Sequence, residues 1–416
     1  MNTATNKVDG ELRDLALSKE RATSGEAMIA RAASLQTILR SRVTETQIER
    51  RVSASTMSDF RDEGLLRASI PEVFGGVEVT PAEYWRISAA LAKGCPATAW
   101  VFNVYSVHNQ VASLFPESAQ QEIFGANPDV GICGVLTDKS TAREVEGGFM
   151  LRRSVWPFAS GCHNAGWALL GASVEGRLKP MDMIFCAVPM SQLEILDDWK
   201  VSGLRGTGSN SVRQPQEELF IPAHRTIDAG LALAHKHGGT RPRRLRMPFA
   251  PLISLMLGVG VGIGAAETAL EYYEDFVIAR SKRALSYSFV GMQKKNLPGT
   301  RRVVADSTAR IAAARGLADQ VAATLWEIAC DPSIVPDNKL RSRMRLLVVH
   351  LMHECKNVVA MLFQETGASA LHEDNAIGRL LRDTQGMVMH ESMDLAIIHD
   401  VYGRMIFGSA TEHWAL

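Results

Sequence analysis

Cysteine is sparse and scattered in this chain. Six occur in 416 residues, at 95, 133, 162, 186, 330 and 355, with no pair at CxxC spacing. That usage excludes a disulfide framework or a redox dithiol and suits reduced thiols in a cytoplasm. Charge of one sign is also lacking, since Lys+Arg and Asp+Glu both number 45. No basic field is therefore available for nucleic acid, and no acidic tail for a basic partner. The first residues, MNTATNKVDGELRDLALSKE, contain no apolar stretch of secretory type. The uncharged apolar run that does occur, Met247 to Ala266, is interrupted by Pro248, Pro251, Gly258, Gly260, Gly262 and Gly264, and the polar ETALEYYEDF follows it. It reads as a helix buried in a bundle, not as a membrane span. A zero net charge gives little colloidal repulsion, which an oligomer that buries much of its surface tolerates.

Several nucleotide, metal and hydrolase signatures are missing as well. GVGVGIG (258–264) departs from GxGxxG spacing, has no preceding strand and lacks the acidic residue a dinucleotide site needs. Its glycines instead suit close helix–helix approach. No Walker A sequence is present. His350 and His353, beside Glu354 and Cys355, share a helix face but do not have HExxH spacing. They read as core or interface residues, and no metal site is expected. No Gly-x-Ser-x-Gly elbow marks an acyl-transfer nucleophile.

What is present falls into three textures. Residues 1–128 carry Ala, Glu, Arg and Leu at helical spacing, broken by the Pro/Gly loop SIPEVFGGVEVTPAEYW. Residues 129–232 change to short β-rich segments such as GGFMLRRSVWPFA, ALLGASVE, DMIFCAVPM and EELFIPAHRTI, which read as an antiparallel β domain. Residues 233–416 return to long helices. A helical–β–helical order without β–α alternation excludes a doubly wound sheet. The basic loop HKHGGTRPRRLRMP (235–248) joins the second and third regions and is a candidate lid.

The segment WPFASGCHNAGWALLGA (156–172) sets two tryptophans and a phenylalanine beside small and hydroxyl residues. A strand–turn–strand of this composition can lay an aromatic wall on a planar ring while Ser160 hydrogen-bonds a ring heteroatom; it also suits an ordinary β core. DDWKVSGLRGTGSNSV (197–212) holds an unusual Gly-Thr-Gly-Ser-Asn turn, either an exposed bend or a pocket wall. In RLLRDTQGMVMHESMD, His390 and Asp394 are spaced one helical turn apart, so the carboxylate is expected to orient the imidazole. His108 is a lone polar group on the apolar WVFNVYSVHNQVASLF, a pattern that fits a satisfied core histidine.

Taken in order, FGG (74–76), CPATAW (95–100), EVEGGF (144–149), WPFASGCHNAGW (156–167), DDWKVSGLRGTGSN (197–210), FIPAHR (220–225) and GRLLRDTQGMVMH (378–390) carry a family resemblance. Over about residues 20–410 the chain resembles the oxygenase components of two-component, reduced-flavin-dependent monooxygenases of the acyl-CoA dehydrogenase fold. The resemblance implies an N-terminal helical domain, a middle β-barrel and a C-terminal four-helix bundle, in a homotetramer. It places Cys133, Gly134, Val135, Phe158, Ala159, Ser160, Arg283, Ala368 and Ser369 on cofactor-binding positions, Arg283 at the flavin phosphate across a subunit boundary. His108 matches a substrate-binding histidine, Arg246 an active-site arginine, and His390 the histidine near the reacting edge of the flavin. Gly134 departs from the serine that phenol hydroxylases of this kind tend to carry, which counts against a simple phenol substrate.

The implied activity is oxygenation of an aromatic or heteroaromatic small molecule by dioxygen through a C4a-hydroperoxyflavin. Reduced flavin would come from a separate NAD(P)H:flavin reductase, since no nicotinamide motif is present. FMNH2 is favoured over FADH2, because no adenine pocket is legible. The expected setting is cytoplasmic, away from membranes and nucleic acid. Two other readings stay open on sequence: an acyl-CoA dehydrogenase-type FAD enzyme, and a non-catalytic flavin or ligand carrier. The closing AIIHDVYGRMIFG lacks the Tyr-Glu-Gly-Thr-like sequence common in the former.

Overall fold

A computed structural model describes residues 24–178, 182–230, 243–283, 285 and 289–409. Short helices Gln36–Ser41, Val43–Glu49 and Ala54–Asp62 precede two long ones, α1 (Pro81–Gly94) and α2 (Pro96–Ala112). The start of α1 is written locally. Thr80 and Glu83 form a reciprocal capping box around Pro81 at the first helical position. Nearly every residue of α2 is buried, because it runs between the β region and the C-terminal helices.

Among the described residues the β region has ten strands: β1 (Ile132–Val135), β2 (Thr141–Val145), β3 (Gly148–Arg152), β4 (Val155–Trp156), β5 (Trp167–Val174), β6 (Met183–Pro189), β7 (Glu194–Ile195), β8 (Val212–Arg213), β9 (Glu218–Pro222) and β10 (Thr226–Asp228). The larger sheet runs β10-β6-β5-β2-β3-β9 with β1 also on β5, and β4-β8-β7 form a small second sheet. The expectation of a purely antiparallel domain needs correction. β1 and β2 both pair with β5 in parallel. Side-chain alternation reports which face of a strand is buried and is blind to the direction of its neighbour.

The third region is helical. A continuous helix, Phe249–Arg280, contains a π-helical turn at Leu255–Val259 before its regular part, α3 (Gly260–Arg280). It is followed by α4 (Pro298–Cys330), α5 (Asn338–Thr366), α6 (Ala376–Val388) and α7 (Leu395–Ile406). α5 packs on α3, α4, α6 and α7, and α3 packs on α1. The GVGVGIG glycines do what close packing requires. A Cβ at Gly260 would lie 2.6 Å from the Trp85 carbonyl, and one at Gly264 would lie 2.5 Å from that of Ala89. Phe249–Arg280 and Asn338–Leu371 are both long and apolar enough to cross a bilayer, yet 83% of the apolar window in the first is buried inside the protein. Most of the basic loop 235–248, the expected lid, lies outside the described residues.

Candidate active site

The site forms where α2 crosses the free edge of β1. Among the described residues β1 pairs with β5 alone, so its other edge, which carries the Ile132 and Gly134 backbone groups, has no strand partner. His108 on α2 is 7% exposed, and its Nδ1–H donates to the Ile132 carbonyl at 3.1 Å. A carbonyl only accepts, so Nδ1 holds the proton and Nε2 holds a lone pair. Burial pushes the His108 pKa down to about 4, so the ring is neutral at pH 7 and Nε2 is an acceptor. That nitrogen lies against Gly134. A Cβ there would stand 2.9 Å from His108 Nε2 and 2.6 Å from the Leu169 carbonyl. The bare backbone at 134 is what allows the imidazole to sit where it does.

His390 is the second imidazole, and its ring centroid is 5.6 Å from that of Trp100 on α2. It is close enough to His108 for its charge to weigh against protonation there. The sequence-based link to Asp394 does not form. α6 ends at Val388, and a 3-10 turn at Glu391–Met393 separates the two residues. Asp394 Oδ1 accepts the Ala396 and Ile397 N–H groups as the N-cap of α7. His390 is oriented instead by Ser392, whose Oγ lies 2.8 Å from Nδ1 and whose backbone N–H points at the same atom at 3.3 Å. Nδ1 is thus the acceptor, and neutral His390 carries its proton on Nε2. The turn is tied to α5 by His353 Nε2 on the Met393 carbonyl, 3.1 Å, and Arg345 on the Ser392 carbonyl, 3.4 Å. His353 therefore has a structural bond, in keeping with its reading as a core or interface residue. His390 as a residue is open to solvent in the single chain, while the protein packed about its ring desolvates the imidazole and lowers its pKa.

A third group of residues comes from the segment after β4. Trp156 is fully buried and donates to the Gly171 carbonyl at 3.0 Å, and Arg225 covers Trp167 at 5.2 Å. The expected aromatic wall therefore reduces to one ring. Phe158 is 69% exposed and meets Trp199 edge-on. Its φ of +66° is a left-handed conformation that costs a non-glycine residue about 1–2 kcal/mol. Next to it, Ala159 and Ser160 are buried, and the segment is laced to the 207–210 loop by Ala159 N–H on the Asn210 carbonyl and Gly161 N–H on that of Thr207. Ser160 Oγ accepts from Trp100 Nε1 at 3.3 Å and lies 2.7 Å from Ser209 Oγ, which lies 2.5 Å from Thr207 Oγ1.

The remaining expected residues spread outward. Cys133 is buried with its Sγ 3.6 Å from Met190 Sδ, and burial holds its thiol protonated. Arg246 donates to the Ala329 carbonyl at the end of α4, 3.4 Å. Arg283, Ala368 and Ser369 are exposed, the first just after α3 and the others on the turn joining α5 to α6. Trp100, Ser392 and Asp383 carry no signal of their own in the sequence, and Thr207 and Ser209 show there only as part of the Gly-Thr-Gly-Ser-Asn turn. Asp383 on α6 is buried, accepts the Leu204 N–H at 2.7 Å, and is raised to about 6 by desolvation.

An exposed ring at Phe158, a strand edge without a strand partner, a hydroxyl at Ser160 and two imidazoles are groups whose chemistry suits a flat, heteroatom-rich ring such as a flavin. The fold and this site define a flavoprotein of the acyl-CoA dehydrogenase architecture. Residues 28–124 match the acyl-CoA dehydrogenase N-terminal domain, and residues 256–395 the C-terminal domain. The chain is 30% identical over 391 residues to the oxygenase component of the FADH(2)-dependent resorcinol hydroxylase of Rhizobium sp. (strain MTP-10005), covering 92% of this chain and 94% of that one. It is 29% identical over 378 residues to the HsaA oxygenase subunit of a flavin-dependent monooxygenase from Rhodococcus jostii (strain RHA1), covering 89% and 95%. The crystal structure of 3-HSA hydroxylase from Rhodococcus sp. RHA1 superposes with a TM-score of 0.85 at 27% identity, over 94% of this chain and 98% of that one. The chain belongs to the family of oxygenase components of two-component flavin-dependent monooxygenases.

Proposed function

We propose that the chain takes reduced flavin from a separate NAD(P)H:flavin reductase and oxygenates a small aromatic or heteroaromatic molecule. The observation that carries this reading is the opposed polarity of the two imidazoles beside the open β1 edge: an acceptor at His108 Nε2 and a donor at His390 Nε2. The bound reduced flavin supplies the electrons that activate dioxygen and the means of passing one oxygen atom to the substrate. The protein does the rest. Phe158 covers a ring face, and Ser160 hydrogen-bonds a ring nitrogen. His390 donates toward oxygen and shuttles a proton between oxygen and solvent. His108 accepts a substrate O–H or N–H and holds the ring against Gly134, with Arg246 as a second substrate contact. Gly134 brings no hydroxyl of its own, so a neutral donor suits the site better than a phenolate. Apolar neighbours on α2 and β1 exclude water.

Arg283 is assigned to the flavin phosphate, a group FMN and FAD share, and Ala368 and Ser369 to backbone contacts with the cofactor. The preference for FMN drawn from the sequence meets an opposing indication, since the Rhizobium relative is named for FADH2. Parallel titrations with the two reduced flavins separate them. A homotetramer in the cytoplasm, free of membrane and nucleic acid, completes the proposal, supported by free cysteines throughout the described residues and the balanced charge.

The test is a comparison of electron sources. The pure chain with NADH and added flavin is expected to consume no NADH. A flavin reductase, or chemically reduced flavin, should start turnover with a suitable aromatic substrate. Steady NADH oxidation by the pure chain alone would contradict the proposal.

A further inference from the structure

Four hydrogen bonds in series fix which way the Ser160 hydroxyl points. The series begins at its far end. The Leu204 carbonyl accepts from Thr207 Oγ1 at 2.8 Å, which commits the single Thr207 hydroxyl proton. Thr207 Oγ1 therefore accepts from Ser209, whose Oγ is 2.5 Å away. With its own proton committed, Ser209 accepts from Ser160 at 2.7 Å. Ser160 Oγ has then given up its proton inward and also accepts from Trp100 Nε1–H at 3.3 Å. One lone pair remains for a ligand, and no proton does.

The terminus of the series is held rigidly. Leu204 sits at φ +49°, and its N–H is held by Asp383 Oδ1 at 2.7 Å. Neighbouring Gly203 lies so close to α6 that a Cβ there would meet the Arg382 carbonyl at 2.1 Å. The loop that ends the series is thus clamped to the helix that leads into His390. Asp383 acts through Leu204 and is a positioning residue.

We propose that the Thr207–Ser209–Ser160 series makes Ser160 an obligate hydrogen-bond acceptor and so selects the reduced flavin over the oxidised one. The chemistry is general. Reduction adds a proton to the central-ring nitrogen N5, which turns from an acceptor in the oxidised flavin into an N–H donor in the reduced one. A Ser160 oxygen without an available proton pairs with the donor form and leaves the acceptor form lone pair against lone pair. For a chain that receives reduced flavin and must release oxidised flavin, that polarity sets the direction of exchange. The inference rests on the placement of flavin at Ser160 proposed above.

The experiment is anaerobic binding of reduced flavin and aerobic binding of oxidised flavin to the full chain, read as a ratio of dissociation constants. In Thr207→Val the series loses its terminator, and Ser209 can donate outward. In Ser209→Ala the Ser160 proton is released directly. Each variant should cut the wild-type preference for reduced flavin by about tenfold, the scale of one hydrogen bond, mainly by tightening the oxidised form. Asp383→Ala should erode the preference in the same direction, and Asp383→Asn, which keeps an acceptor for Leu204 N–H, should restore it. Unchanged ratios in folded Thr207→Val and Ser209→Ala, with Ser160→Ala abolishing the preference, would overturn the series and leave the flavin placement standing. A wild-type chain with no affinity for reduced flavin would instead overturn the placement itself.

Discussion

His390 and Asp394 lie four positions apart and do different work. The spacing suggests a carboxylate–imidazole pair, but the helix stops between them, so Asp394 caps α7 and Ser392 orients the ring. Their substitutions should separate cleanly. His390→Ala should cut product formation by roughly a hundred- to ten-thousand-fold, the range of a general acid–base group, with flavin oxidation diverted to hydrogen peroxide and the melting temperature little changed. Ser392→Ala should give a milder form of the same defect. Asp394→Ala should lose about 1 kcal/mol of stability, as helix caps do, while product per flavin oxidised stays normal. Product yield measured beside melting temperature decides, and an uncoupled Asp394→Ala would return the pair to the mechanism. Phe158 and Ser160 stand out as candidates at this scale, because aromatic and hydroxyl side chains stand together in WPFAS. Thr207 and Ser209 were visible only as an odd turn. Their partner Ser160 is 47 and 49 positions away, and no local pattern encodes that pairing.

At the scale of elements, helix spacing and Pro/Gly breaks gave the long helices. The apolar, glycine-punctuated 247–266 run was readable as a buried helix because glycine removes the side chain where backbones touch. Gly260 and Gly316 make the test: both are helical, but Gly260 faces α1 and Gly316 has nothing within 4 Å of an added Cβ. Gly260→Ala should destabilise by about 1–3 kcal/mol through overpacking, and Gly316→Ala should stabilise by up to about 1 kcal/mol through helix propensity. Thermal or urea unfolding of the two variants reads the difference, and equal effects would contradict the packing account. What the sequence concealed was non-local: the parallel pairing of β1 and β2 on β5, and the π-helical turn. That turn is stabilised by Asn103 Nδ2 donating to the Leu257 carbonyl at 2.8 Å, from 154 positions away.

For the whole molecule, several large apolar side chains are exposed in the single chain, among them Phe289, Val290, Leu371, Met389 and Phe407. Together with a net charge of zero, they favour burial between subunits. Sedimentation should show a tetramer at micromolar concentration, and a stable monomer would overturn the role proposed for Arg283 across a subunit boundary. Oxygen transfer itself is read by isotope labelling. The chain is supplied with chemically reduced flavin and isotopically labelled dioxygen over a panel of neutral phenols, indoles and related heteroaromatics, and products are read by mass spectrometry. The expected product carries one labelled oxygen atom, forms without NADH, and is lost in His390→Ala with peroxide in its place. Peroxide alone from the wild-type chain across the panel, or dehydrogenation of an acyl-CoA by a chain that retains oxidised flavin, would contradict it.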